Sequence, residues 1–165
     1  MNFHPFETTT TSPTRTEDWG RRLGGLLTGG QVLGLTGDLG SGKTCFVRGL
    51  AVGLEVEQGS WVRSPSFTLI NEYAGRVPLI HIDLFRVAAG PEMNDLLLED
   101  YFYSNGVSVI EWFDRLVANG PETYLTVDFR YLGVRKRALR FAAHGPEYEE
   151  IVHTLRSMDE GASGR

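Results

Sequence analysis

The 165-residue chain is 41% hydrophobic and 22% charged, the balance of one ordinary domain with a real core, so disorder over most of its length is excluded. No run approaches the ~20 apolar residues that span a bilayer, and Met1 to Pro13 lacks the basic-then-apolar layout of a signal peptide, so a cytoplasmic chain without membrane contact is expected. A single cysteine, Cys45, allows neither an internal disulfide nor a thiolate metal cage, and 16 basic against 21 acidic residues (net charge -5) disfavours gripping nucleic acid by charge as the main task.

Residues 1–13 read as a leader or a short strand, with Glu7 to Thr11 as the strand. From Thr14, Trp19, Leu23, Leu26 and Leu27 recur at helical spacing, with Glu17 and Asp18 near the start, where the helix dipole favours acids; Gly29-Gly30 ends that helix. Gln31 to Thr36 is nearly continuously apolar, as a strand buried on both faces requires. After Gly42, Phe46, Val47, Leu50, Ala51 and Leu54 mark one face of an amphipathic helix. Glu55 to Trp61 reads as loop, Phe67 to Tyr73 as a strand, and Gly75 as a turn. Leu79 to Phe85 alternates Ile80, Ile82 and Leu84 with His81 and Asp83, as a strand with one polar-lined face does. Gly90-Pro91 opens a helix carrying Met93, Leu96, Leu97 and Tyr101, and Val107 to Trp112 is a strand that ends in a charge. Tyr124 to Phe129 and Arg137 to Ala143 alternate in polarity and lie too close for a crossover helix, which predicts an antiparallel pair. Gly145-Pro146 starts a terminal helix with Ile151, Val152, Leu155 and Met158 inward, and Glu160 to Arg165 is a polar tail. The expected fold is α/β: a single three-layer P-loop NTPase-like domain over residues 14–158. It has a mixed, mainly parallel central sheet and an antiparallel C-terminal strand pair, and 159–165 form a disordered tail.

Glycine supplies 20 of the 165 residues, well above the usual ~7%. Gly34, Gly37, Gly40 and Gly42 cluster, and the others read as punctuation. Gly37-Asp38-Leu39-Gly40-Ser41-Gly42-Lys43-Thr44 satisfies G-x-x-x-x-G-K-[ST] between a buried strand and a helix, the context that this pattern requires. Its backbone N–H groups can line an anion nest at a positive helix end, Lys43 can reach the outer phosphates, and Thr44 can place its hydroxyl on Mg2+.

Hydrolysis also needs a metal ligand and a group that orients water. Asp83 lies in an apolar strand, where an ionised group is costly without a cationic or metal partner, and Glu111 ends a second apolar strand, where open α/β sheets place ligand contacts. The alternative for either is a sheet-edge pair with Arg86 or Arg115. No [NT]-K-x-D stretch and no D-x-x-G after the candidate metal strand occur, so ATP rather than GTP is expected. Ser64-Pro65-Ser66-Phe67-Thr68 reads as a turn and cap or as a γ-phosphate-sensing switch. No arginine finger is evident in cis near the loop, so one is expected from a partner if it is needed. Cys45 reads as an inert small group or as an oxidisable thiol whose pKa is lowered by the helix N-terminus. His81 reads as a satisfied core histidine or as a group that orients Asp83.

The phosphate loop, Ser64-Pro65-Ser66-Phe67-Thr68-Leu69, His81-Ile82-Asp83-Leu84-Phe85-Arg86 and Glu111-Trp112, in this order and spacing, resemble the TsaE (YjeE-type) ATPase family from Thr16 to about Tyr148. That family supports formation of N6-threonylcarbamoyladenosine at position 37 of tRNA. The resemblance implies an accessory ATPase that binds ATP or ADP with Mg2+, hydrolyses ATP slowly alone, and docks on a threonylcarbamoyl-transferase heterodimer of the TsaD and TsaB type. It reaches tRNA only through that complex. It further implies that Gly40 to Thr44 cradle the phosphates, that Thr44 and Glu111 hold the magnesium, and that Asp83 is the Walker-B-like acid. Lys43, Asp83 and Glu111 form the catalytic set, Ser64 to Thr68 the mobile switch, and Thr16 and Arg135 further nucleotide contacts. Cys45, Ser66 and Phe85 depart from the commoner threonine, threonine and tyrosine without removing a metal or phosphate ligand. Two rival readings are a small-molecule kinase with Arg135, Lys136, Arg137 and Arg140 as basic lid residues, and a nucleotide-sensing scaffold with no need for hydrolysis.

Overall fold

In the computed structural model, which describes residues 4–65, 67–87, 97–116 and 120–163, the chain begins with β1 (Phe6–Thr10) and α1 (Pro13–Leu26). It continues through β2 (Val32–Gly37), α2 (Lys43–Gly53), β3 (Ile70–Tyr73) and β4 (Leu79–Asp83). The short α3 (Glu99–Phe102) precedes β5 (Val107–Glu111), and β6 (Tyr124–Tyr131), β7 (Arg137–His144) and α4 (Pro146–Ser163) follow. The strands form one sheet in the order β1-β7-β6-β2-β5-β4-β3. Pairing is parallel along β6-β2-β5-β4 and antiparallel at β1-β7, β7-β6 and β3-β4, so the mixed sheet and its C-terminal antiparallel pair are as expected. No helix among the described residues is long and apolar enough to cross a membrane.

The central strands bury both faces, which is why they read as apolar runs. Leu33, Leu35, Val107, Val109, Leu125 and Val127 meet α1, α2 and α4, while Val32, Ile80, Ile82 and Ile110 meet Leu98 and Phe102 on the other face. Alternation along β4 therefore puts His81 and Asp83 on the α2 side. Ser12 caps α1 by accepting from the Arg15 N–H, with Pro13 next to it in the first turn. Because the helix starts there, Glu17 and Asp18 fall beyond its first turn, and Asp18 instead pairs with Arg21 and Arg22 at 2.6 and 2.9 Å.

Two expectations are corrected, and a third falls largely outside the described residues. Phe67 to Leu69 do not join β3: Leu69 is left-handed (φ 68°) and its N–H bonds Pro65 O at 2.8 Å, which closes a turn in place of a ladder. The terminal helix continues through Glu160 to Ser163, and Asp159 accepts a bond from Thr8 of β1 at 3.1 Å. Within the helix expected from Gly90, the residues Gly90, Pro91, Met93 and Leu96 lie outside the described residues, as do Ser66 and the last two of the tail.

The glycines outside the loop are more than punctuation. Where α1 crosses α2, a Cβ on Gly49 would stand 1.8 Å from Glu17 O, on Gly20 2.2 Å from Phe46 O, on Gly53 2.2 Å from Arg21 O and on Gly24 2.4 Å from Leu50 O. The two backbones touch, and no larger residue fits between them. Gly25, on the same helix, faces open space. Gly49→Ala should therefore cost about 1–3 kcal/mol despite the better helix propensity of alanine, whereas Gly25→Ala should gain about 0.5–1 kcal/mol. Urea unfolding midpoints at unchanged m-value check both; stabilisation by Gly49→Ala would show that the helices can separate.

Candidate functional site

The carboxyl ends of β2, β4 and β5 lie side by side, with Asp83 in register with Glu111 and Glu111 in register with Leu35. The loop after β2 turns on three glycines of positive φ: Gly37 (141°), Gly40 (74°) and Gly42 (111°). Gly42 is the N-cap of α2 and offers no side-chain cap, so the first N–H groups of that helix depend on another partner.

Lys43 is only 4% exposed. Its Nζ donates to Gly37 O at 2.6 Å and Asp38 O at 2.9 Å, and sits 4.2 Å from the centre of the Trp112 ring. Burial pulls its pKa below the ordinary lysine value, opposed by the charges of Glu111, Asp83, Asp114 and Asp38. Trp112 itself is left-handed (φ 60°), a strained backbone state that turns the ring over the ammonium.

Glu111 is 3% exposed and accepts from Thr44 Oγ1, at 3.0 and 3.2 Å to its two oxygens. His81 Nε2 lies 2.8 Å from Glu111 Oε1. The buried Nδ1 of His81 has no partner among the described residues. His81 thus orients Glu111, in place of the expected Asp83. Asp83 accepts from Ser64 Oγ and from the Phe85 N–H at 2.9 Å. Among the described residues neither acid pairs with Arg86 or Arg115. Arg115 donates to the carbonyls of Leu84, Phe85 and Val87 and lies over the rings of Phe85 and Trp112.

A cavity of about 390 Å³ is lined by Leu39, Gly40, Gly42, Lys43, Thr44, Ser64, Asp83, Glu111 and Trp112, together with Arg48 and Arg86. A second, of about 560 Å³, is lined by Thr16 and Arg135 and shares Gly40, Gly42, Cys45 and Arg48 with the first. Of the predicted switch, Ser64 faces the first cavity, Phe67 is 89% exposed, Thr68 bonds Asn71, and Ser66 lies outside the described residues. The hairpin β6–β7 steadies the loop: Tyr131 OH donates to Leu39 O and Arg137 Nε to Ser41 O, both at 3.2 Å. Arg137 also stacks on Tyr131 and Arg140 pairs with Asp128 at 3.5 Å, so both arginines are committed within the fold.

Sequence reasoning missed Arg48, although its position one helical turn after Thr44 places both on one face of α2. It also missed the loop-holding role of Arg137, which only the strand pairing reveals.

Of the two readings of Cys45, its surroundings favour the inert one over the acidic, oxidisable thiol. Burial and the nearby Glu17 carboxylate push the thiol from an ordinary 9.0 up to about 11, and Sγ donates to Pro13 O at 3.3 Å. The helix N-terminus is outweighed by desolvation. At pH 8 the thiolate fraction should be about a hundredfold below that of an unperturbed cysteine, so alkylation should be slow and should accelerate as pH rises toward about 11. Iodoacetamide labelling against pH checks this, and rapid labelling at pH 8 would contradict it.

Comparison with known proteins agrees with this geometry. Residues 10–139 match the family model described as threonylcarbamoyl adenosine biosynthesis protein TsaE. A tRNA threonylcarbamoyladenosine biosynthesis protein TsaE of Treponema pallidum is 40% identical over 77% of this chain and 93% of its own. One of Bacillus subtilis is 36% identical over 91% of this chain and 93% of its own. The crystal structure of Bacillus subtilis YdiB superposes with a TM-score of 0.81 at 31% identity, covering 96% of this chain and 99% of that one. The match of residues 10–139 to the family model, with relatives at 36–40% identity over most of both chains, shows that the chain belongs to the TsaE family.

Proposed function

We propose that this chain is a cytoplasmic accessory ATPase required for threonylcarbamoylation of adenosine 37 in tRNA. It binds and slowly hydrolyses Mg-ATP while docked on a transferase heterodimer of the TsaD and TsaB type, which handles the tRNA. The observation that carries the reading is the convergence of Lys43, Thr44, Asp83 and Glu111 on one cavity beside the glycine loop. The relatives' names supply the pathway.

The donor chemistry fits the ligand. Among the described residues no group of three or more His, Cys, Asp or Glu gathers to cage a metal. Mg2+ needs no such cage, because one or two carboxylates and the phosphates of its nucleotide suffice. Thr44 and Glu111 supply hard oxygens already within hydrogen-bond distance of each other, and Asp83 supplies another beside Ser64. When bound, the ion neutralises phosphate charge. Gly37 to Thr44 offer N–H groups and the Lys43 ammonium to the phosphates, while Thr16 and Arg135 face the nucleoside end from the second cavity. His81 holds the Glu111 carboxylate, and one of the two acids orients the water. Ser64 on Asp83 couples the switch segment to the same acid.

Lys43→Ala should abolish nucleotide binding. Asp83→Ala and Glu111→Ala should retain ATP but lower hydrolysis by about 10²–10⁴-fold and stop tRNA modification beyond one turnover. Reconstituted modification with and without the chain, compared at one and many turnovers, tests this. Full modification by both acid variants with ATP still bound would leave only a scaffold role.

A further inference from the structure

The sequence shows no arginine finger beside the loop, yet the fold brings Arg86 to the cavity wall. β4 ends at Asp83, and the next four residues make a tight turn: Leu84 N–H bonds Glu111 O at 3.2 Å and Val87 N–H bonds Leu84 O at 3.1 Å. Arg115 fixes that turn by its carbonyls, so Arg86 projects from a held backbone.

Three cations line the first cavity. Lys43 is engaged by two carbonyls, and Arg48 donates its Nε to Val62 O at 3.1 Å. Among the described residues Arg86 has neither a carbonyl nor a carboxylate partner; its guanidinium lies 4.6 Å from the centre of the exposed Phe67 ring. An exposed cation–π contact is worth only about 0.5–1 kcal/mol. A phosphate offers the same fork two charge-assisted hydrogen bonds, which are stronger.

The cavities also order the basic residues. Arg135 and Arg137 line only the second, Arg48 lines both, and Arg86 lines only the first, with Asp83 and Glu111. With the nucleoside at the Thr16 side, Arg86 stands at the opposite end of the series.

We infer that Arg86 recognises the terminal phosphate of a nucleoside triphosphate, its guanidinium exchanging the Phe67 ring for that phosphate, so that the chain itself distinguishes triphosphate from diphosphate. This rests on the nucleotide reading above. It replaces the expectation that any such arginine must come from a partner.

Calorimetric titration of the full chain with Mg2+ and either ADP or a non-hydrolysable ATP analogue tests it in the unmodified protein, Arg86→Ala and Arg86→Lys. Arg86→Ala should weaken the triphosphate analogue by about tenfold or more and leave ADP within about twofold. Arg86→Lys, which keeps the charge and loses the fork, should fall between. Retained ADP affinity shows that the variant is folded with its loop intact. Equal weakening of both ligands, loss of both, or no change in either overturns the inference. If the unmodified chain binds neither ligand, the nucleotide reading itself fails, an outcome read before any variant is made.

Discussion

One ammonium, two carboxylates and an imidazole are held almost wholly out of water at the carboxyl ends of three adjacent strands, and the surrounding loops exist to satisfy them. An ion moved from water into a protein interior costs several kcal/mol unless its partners are well placed, and a domain has only about 5–15 kcal/mol of net stability. Lys43 therefore draws in the carbonyls of Gly37 and Asp38 and the face of Trp112. Glu111 draws in Thr44 and His81; Asp83 draws in Ser64 and the Phe85 N–H. Each partner comes from a different segment, so the glycine loop, the segment at Ser64 and the turns after β4 and β5 are bound into one electrostatic unit. Any ligand that takes one of these groups must re-partner the others, which is how a site of this kind can report occupancy to its surface.

That unit also depends on where α2 lies. The Thr44 to Glu111 bond joins a helix to a strand, and a hydrogen bond tolerates only tenths of an ångström. The glycine crossing presses α1 onto α2 at backbone contact, and Phe6, Trp19, Phe46, Phe129 and Phe141 pack together at the neighbouring end of the same core. Arg137 and Tyr131 hold the loop from its open side. The loop is thus supported by packing behind and by hydrogen bonds in front, and within it the Ser41 N–H closes a turn on Asp38 O at 3.1 Å.

Much of the fold was legible because it is written in local pattern. A buried strand, a glycine loop and an amphipathic helix follow one another with periods that the chain alone displays, and strict alternation put His81 and Asp83 on one face. The spacing of β6 and β7 announced an antiparallel pair. The segment at Phe67 to Leu69 misled because its β-favouring residues are overridden by a turn closed on Pro65. The end of α4 is not legible in the chain, because a polar, glycine-containing stretch shows no sign of the contact with β1 that accompanies its helix.

The residue order determines which chemical groups are present and on which face of each element they stand, since those follow from periods of 2 and 3.6 residues. Which groups meet was settled by the strand register and the helix crossing. His81 reaches Glu111 from 30 positions away, Gly49 abuts Glu17 across two helices, and Arg86 enters a cavity with a lysine and a threonine from another strand's loop. Even the acidity of Cys45 turned on this, because the helix end visible in the chain favours a thiolate while the burial and the Glu17 carboxylate supplied by packing oppose it more strongly. Contacts between distant residues depend on distances of a few ångströms between packed elements, and no local period encodes those.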